Sequence, residues 1–150
     1  MKDILFVNGP NINMLGKREP GIYGSSTLSS INKSLRDSAK KEGVKVDFFQ
    51  SNHEGDIIER IQKTNESNTG VVLINPGAFT HTSIAIRDAL LAVGRPVIEI
   101  HLSNIFKREP FRRTSFISDI AIGVITGFGP ESYFLGLQAA ISFLRNQETK

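Results

Sequence analysis

The sequence has no cysteine and no tryptophan, and only three histidines and two tyrosines among 150 residues. Without cysteine there is no disulfide framework, no thiolate nucleophile and no sulfur-ligated metal site. That agrees with a reducing compartment, so the cytoplasm is the expected location. No apolar run approaches the roughly 20 residues that a membrane span requires. The opening Met1-Lys2-Asp3 runs straight into a strand and does not read as a signal peptide. A strong excess of either sign of charge is also missing, since the formal net charge is only +3. The basic residues gather into nothing larger than adjacent pairs such as Lys107-Arg108 and Arg112-Arg113, which argues against a nucleic-acid partner. A chain of this length fits one domain, residues 1–150, with enough buried surface for a core.

What is present is a repeated strand-then-helix pattern. Val71-Val72-Leu73-Ile74 is a short apolar run that reads as a strand buried on both faces. Asn75-Pro76-Gly77 ends it, and a helix starts near Thr82 or Ser83, both good N-caps. Four more strands are predicted at Ile4–Val7, Val44–Gln50, Val97–His101 and Ile120–Ile125. Helices are predicted from Ser26 or Thr27 to Gly43, over a short stretch ending near Ser67, at about 82–93, and at about 130–145 with Pro130 in the first turn. Residues 9–25 form a long Gly-, Pro- and Asn-rich loop, which in a domain this small reads as a lid. Residues 102–116 form a second long loop with one short turn at most. Five β-α units imply a parallel sheet with helices on both faces, with the flavodoxin-like order 2-1-3-4-5 as the default. Ligands of such sheets bind beyond the carboxyl ends of the strands.

The phosphate-binding patterns that this fold class invites are missing. Six residues separate Gly9 from Gly16-Lys17 where a P-loop has four, and Arg18 stands where a magnesium-binding Ser or Thr belongs. Gly127-Phe128-Gly129 runs into Pro130 and completes no dinucleotide fingerprint. His53, His81 and His101 have no metal-ligand spacing. His81 and His101 do fall at the carboxyl ends of strands expected to be neighbours, so both can face one cleft. Glu99 precedes His101 by two and shares its face of the strand. A carboxylate beside an imidazole favours the protonated ring and fixes its tautomer, as a proton donor needs. The competing reading is a buried polar pair closing the strand end. Arg18 and Tyr23 share the first loop. Tyrosine is a poor base unless guanidinium groups, here Arg18 or Arg112, stabilise the phenolate; the competing reading is an exposed tyrosine on a flap. Leu102 and Ser103 offer consecutive N–H groups and a hydroxyl to a carboxylate, or else Ser103 caps a short turn. Phe111-Arg112-Arg113 suits an anion clamp, and Asp88 reads as an exposed helical acid paired with an arginine.

Several blocks together resemble one family. Asn8-Gly9-Pro10-Asn11, Leu15-Gly16, Arg18-Glu19-Pro20 and Tyr23-Gly24 look like the opening of the type II 3-dehydroquinate dehydratases. So do Gln50-Ser51-Asn52-His53-Glu54-Gly55, Asn75-Pro76-Gly77-Ala78 with Thr80-His81-Thr82-Ser83, and Arg87-Asp88-Ala89. Glu99, His101, Ser103-Asn104, Arg108-Glu109, Phe111-Arg112 and the closing Gly123 to Gly129 stretch match as well. The resemblance spans almost the whole chain in order, with no departure at the catalytic positions. It implies a flavodoxin-like shikimate-pathway enzyme that eliminates water from 3-dehydroquinate in anti fashion, through an enolate, without metal or cofactor. It further implies Tyr23 as the base, Arg18 as the group stabilising Tyr23 and the transition state, and Asn11 as holder of a water on the enolate oxygen. His101, oriented by Glu99, is then the acid. Asn75, His81, Leu102, Ser103 and Arg112 hold the substrate, and Asp88 reaches a neighbouring subunit's site in trimers assembled into a dodecamer. Phe79, Ile105 and Phe106 are apolar choices nearby.

Rival readings of the fold lack their residues. A phosphoacceptor domain needs acids where Asn75 and Asn8 stand. A flavin carrier wants a Ser/Thr-rich first loop where Gly9-Pro10-Asn11 stands. A non-catalytic homologue would have lost Tyr23, Arg18 or His101.

Overall fold

In a computed structural model, the described residues are 1–17, 21 and 25–150. Five strands, β1 (Asp3–Asn8), β2 (Val46–Gln50), β3 (Thr69–Asn75), β4 (Val97–His101) and β5 (Gly123–Thr126), form a sheet of order β2-β1-β3-β4-β5. Every pairing is parallel. The helices are α1 (Leu28–Lys41), α2 (Glu54–Gln62), α3 (Ile84–Val93) and α4 (Glu131–Glu148).

Strand alternation divides the core in two. Ile4, Phe6, Val71, Leu73, Ile98 and Ile100 face α1 and α4, while Leu5, Val7, Val72, Ile74 and Val97 face α2 and α3. The three central strands are apolar on both sides for that reason. α1 buries Ile31, Leu35 and Ala39 on one stripe, and Thr27 opens it with a reciprocal capping box to Ser30. It closes where Val44 N–H reaches Ala39 O and Gly43 takes a φ of +72°, a turn that glycine enters without strain. That closure delays β2 to Val46, two residues later than the sequence pattern suggests.

Four other expectations shift. α2 ends at Gln62, and the stretch to Glu66 tightens into a 3-10 turn. The loop after β4 carries two 3-10 turns, Ile105–Lys107 under an Asn104 cap and Pro110–Arg112 started by proline, rather than one at most. β5 begins at Gly123 and not at Ile120, because the N–H groups of Ile120 and Ala121 both turn back to Ile117 O. Pro130 is the N-cap of α4, and the helix runs on to Glu148. Among the described residues, no helix is long and apolar enough to cross a membrane.

Candidate active site

Each loop at the carboxyl end of β1, β3 and β4 brings polar groups to one cleft of about 150 Å³. Its wall includes Asn11, Asn75, His81, His101, Leu102, Ser103, Arg108 and Arg112. Arg18 and Tyr23 lie outside the described residues, as does part of the loop read as a lid.

The β1 loop is held at its root. Gly9 N–H donates to Asn75 O at 2.8 Å. Asn11 takes a left-handed φ of +69°, which asparagine tolerates better than most side chains. Its N–H donates to Asn52 Oδ1 at 3.0 Å, and Gln50 Nε2 donates to the same oxygen at 3.1 Å. The Gln50 to Gly55 motif thus braces the loop that carries Asn11.

β3 ends in a buried amide. Asn75 Oδ1 accepts from Gly77 N–H at 3.2 Å, and its Nδ2 donates to the Tyr133 hydroxyl at 3.0 Å. Tyr133 in turn donates to Asn8 Oδ1 at 2.5 Å. All three side chains are buried. Burial pushes the Tyr133 phenol well above its ordinary pKa, only partly offset by the Asn75 contact. Tyr133 therefore acts as a neutral hydrogen-bonding strut from α4. Nothing in the sequence singles Tyr133 out, although a buried tyrosine hydroxyl implies a partner.

His81 and His101 stack with ring centroids 6.5 Å apart. His81 Nδ1 lies 2.7 Å from Thr114 O. A carbonyl only accepts, so Nδ1 carries a proton and Nε2 is the nitrogen left for a ligand. His101 Nε2 faces inward, 3.3 Å from Glu99 Oε1, without the alignment of a hydrogen bond. Behind it Glu99 has no exposed surface. Thr80 Oγ1 and Ser115 Oγ each donate to Glu99 Oε1 at 2.5 Å, and Ser118 Oγ donates to Oε2. Burial works to raise the Glu99 pKa, but His101 and the Ser115 and Ser118 hydroxyls outweigh it and hold the value at about 2. Glu99 is therefore ionised throughout the working range. Of the three hydroxyls, only Thr80 lies in a motif noticed in the sequence; Ser115 and Ser118 carry no sequence signal.

The β4 loop supplies the anion-binding side. Thr126 Oγ1 donates to Ser103 O at 2.9 Å, and Gly129 N–H donates to Leu102 O at 2.8 Å. With these carbonyls tied back, the Leu102 and Ser103 N–H groups have no acceptor among the described residues. Arg108 Nη1 donates to Ser103 Oγ at 3.2 Å, which brings a second guanidinium into the cleft wall that sequence reading had given no role. Arg112 is steadied by Glu109 at 2.7 Å. Two guanidinium groups beside two N–H donors and a hydroxyl are the donor set that a carboxylate can use.

The structure does not bring Asp88 to this cleft; it is exposed on α3. Ile105 lines the cleft, Phe79 packs on the α2–α3 side of the core, and Phe106 is exposed. A larger groove of about 600 Å³ between α1 and α4 holds the Arg145–Glu42 ion pair and none of these groups. Among the described residues, no three His, Asp or Glu side chains gather where they could hold a metal ion.

With this geometry in view, residues 2–141 match the family model described as dehydroquinase class II. The chain is 56% identical over 142 residues to a 3-dehydroquinate dehydratase of Francisella tularensis subsp. novicida, covering 95% of this chain and 96% of that one. Among solved structures, it resembles the type II dehydroquinase of Butyrivibrio crossotus with TM-score 0.89 and 41% identity, covering 92% of this chain and 96% of that one. The type II dehydroquinase of Propionibacterium acnes aligns with the same TM-score, 0.89, at 39% identity, covering 95% and 97%.

Proposed function

We propose a division of labour from one premise: this chain belongs to the class II dehydroquinases, and its activity is the dehydration of 3-dehydroquinate in the shikimate pathway. Tyr23, as phenolate, removes the proton α to the ketone, and its electron pair moves into an enolate. Arg18 stabilises both the phenolate and the charge that develops in the transition state. Asn11 holds a water on the enolate oxygen. When the enolate collapses, the new double bond expels the hydroxyl on the opposite face. His101 supplies the proton with which that hydroxyl departs as water. Tyr23 has then gained one proton and His101 has lost one, and exchange with solvent resets both. No metal or cofactor enters this scheme.

The observation that carries this reading is the Glu99–His101 pair opening onto the cleft that Asn11, Ser103 and Arg112 also line. Leu102 and Ser103 N–H with Arg112 take the substrate carboxylate. His81, through Nε2, and Asn75, through the Nδ2 proton not given to Tyr133, take the ring hydroxyls.

Asp88 serves the cleft of a neighbouring subunit, within trimers that build a dodecamer. Its exposure outside its own cleft supports this, as do the exposed Ile84 and Leu91 on the same helix. The cytoplasm is the proposed compartment, which a biosynthetic enzyme without cysteine suits.

The test is an ultraviolet assay with 3-dehydroquinate in the presence of a chelator, since the product gains a conjugated enone. Tyr23→Phe should bind substrate and lose turnover by about 10²–10⁴-fold. Near-normal turnover in that variant would remove Tyr23 as the base.

A further inference from the structure

A carboxylate without exposed surface loses its hydration, and burial by itself drives it toward the neutral acid. Glu99 is in that position, and a neutral Glu99 could not hold a protonated imidazole in place. Resting on the assignment of His101 as the proton donor, we propose that Thr80, Ser115 and Ser118 are its positioning residues: their hydroxyls lock Glu99 as a carboxylate, which holds His101 with Nε2 inward and Nδ1 toward the substrate.

The direction of every proton in the cluster is determined. Ser115 Oγ accepts the N–H groups of Ile117 at 3.0 Å and Ser118 at 3.1 Å. Both of its lone pairs are used, so it cannot accept from Thr80, although their oxygens lie 2.9 Å apart. The Thr80 proton therefore goes to Glu99 Oε1, as does that of Ser115, each over 2.5 Å. Ser118 fills Oε2. A neutral Glu99 would have to donate a proton, and each neighbouring hydroxyl already donates to it. The cage accommodates the anion and rejects the acid.

The segment bearing Ser115 and Ser118 is fixed from two other elements. Phe116 N–H donates to Thr80 O at 2.8 Å, and Arg87 of α3 donates to Phe116 O at 2.8 Å. The charged groups facing Glu99 are few. His101 comes from its own strand, and Asp119 comes from the caging segment and is paired with Arg87 of α3. His81 lies beyond His101. The β3 and β5 residues in register with Glu99 are Ile74 and Val124. On His101, Nε2 is committed inward with no other partner, which leaves Nδ1 as the ring nitrogen with access to the cleft.

The test is the double variant Thr80→Val/Ser118→Ala, which preserves shape and removes two of the three donors. A hydrogen bond to a charged group is worth about one to two pKa units. Glu99 should then titrate at roughly pH 4–6, and turnover should develop an acid limb that the wild type lacks. The ratio of kcat at pH 7 to kcat at pH 4 should rise about twofold or more over the wild-type ratio. Thr80→Ser and Ser118→Thr keep the donors and should restore the wild-type ratio, which a role confined to packing would not produce. Difference infrared spectroscopy gives a readout independent of turnover: the carbonyl stretch of a protonated carboxyl should appear on mild acidification of the double variant and be missing when Glu99→Gln is added.

A pH ratio equal to wild type, donor-retaining variants no better than donor-lacking ones, or no carbonyl band on acidification would each overturn the proposal. Glu99→Gln separates the two levels. If it is impaired while the double variant behaves as wild type, the cage alone is wrong. Full activity in Glu99→Gln would overturn the assignment of the acid as well.

Discussion

Replacing Tyr133 by Phe deletes one oxygen and unpairs two buried amides. The hydroxyl accepts from Asn75 Nδ2 at 3.0 Å and donates to Asn8 Oδ1 at 2.5 Å. Asn8 is 1% exposed and Asn75 3%, so water has little access to replace either bond. Each buried polar group left without a partner costs about 1–3 kcal/mol, and the phenyl ring recovers a part because its hydroxyl no longer needs desolvation. The net loss should be about 2–4 kcal/mol. For a chain of this size about 2–4 °C of melting temperature accompanies each kcal/mol, so the midpoint should fall by roughly 5–15 °C. The ring still packs on Phe6, with centroids 6.3 Å apart, so the core stays filled. Differential scanning calorimetry at fixed protein concentration reads the shift, and a parallel urea titration checks that the slope is unchanged. KM should rise severalfold, because Asn75 loses the bond that orients its amide, while kcat changes less. A midpoint within about 2 °C of wild type would refute the reasoning, since it would mean that the buried amides do not depend on the hydroxyl.

Arg112→Ala should raise KM roughly tenfold to a hundredfold with a smaller effect on kcat, the signature of a lost charged contact to bound substrate; initial-rate kinetics with an unchanged KM would take Arg112 out of the carboxylate receptor. Glu99 has a folded pKa of about 2 against an ordinary value of 4.5. A depressed carboxyl stabilises the fold above its unfolded pKa, and that contribution, about 3 kcal/mol, is lost as pH falls from about 4.5 toward 2. Urea midpoints at pH 6, 4 and 3 should therefore drop more steeply for the wild type than for Glu99→Gln, and parallel slopes would contradict the assignment. Gly9→Ala would set a Cβ 2.2 Å from Pro76 O and 2.6 Å from its carbonyl carbon. The backbones must part, so stability should fall by about 1–3 kcal/mol and kcat/KM by roughly tenfold or more; chemical denaturation and steady-state rates check both, and wild-type values would show that the β1 and β3 ends move freely.

The strands and helices were legible because the evidence for them is local: runs such as Val71 to Ile74 bounded by Asn75-Pro76-Gly77, and N-caps such as Thr27 and Ser83; the sheet order and the strand-end cleft then followed from the default for five β-α units. The Glu99–His101 pairing was legible for the same reason, since a period of two places both on one face. Ser115 and Ser118 were not legible, because what brings them to Glu99 is a turn closed by the Ser115 hydroxyl on two N–H groups further on. Tyr133 was hidden by its own context, as an aromatic on the buried side of α4 with its partners 58 and 125 residues away. β5 was misplaced because Ile120-Ala121-Ile122 resembles strand in composition, while the backbone bonds that decide the matter lead back to Ile117 and across to Val97.

The sheet order also has a consequence for how the chain is made. β1 has strands on both of its edges, β2 on one and β3 on the other. Of the strands described, it is the first to be translated and yet the one with most to wait for. Its register partners end at Gln50 and Asn75. At about 5–20 residues per second, the ribosome needs roughly 3–13 seconds after Asn8 to reach Asn75. Before Gln50 is made, Ile4-Leu5-Phe6-Val7 is an apolar segment without either neighbour, and until Asn75 is made it still lacks β3; this is the kind of segment a chaperone binds. Nascent chains arrested before β3 clears the exit tunnel should therefore be chaperone-bound and protease-sensitive, and those arrested just after it should be neither.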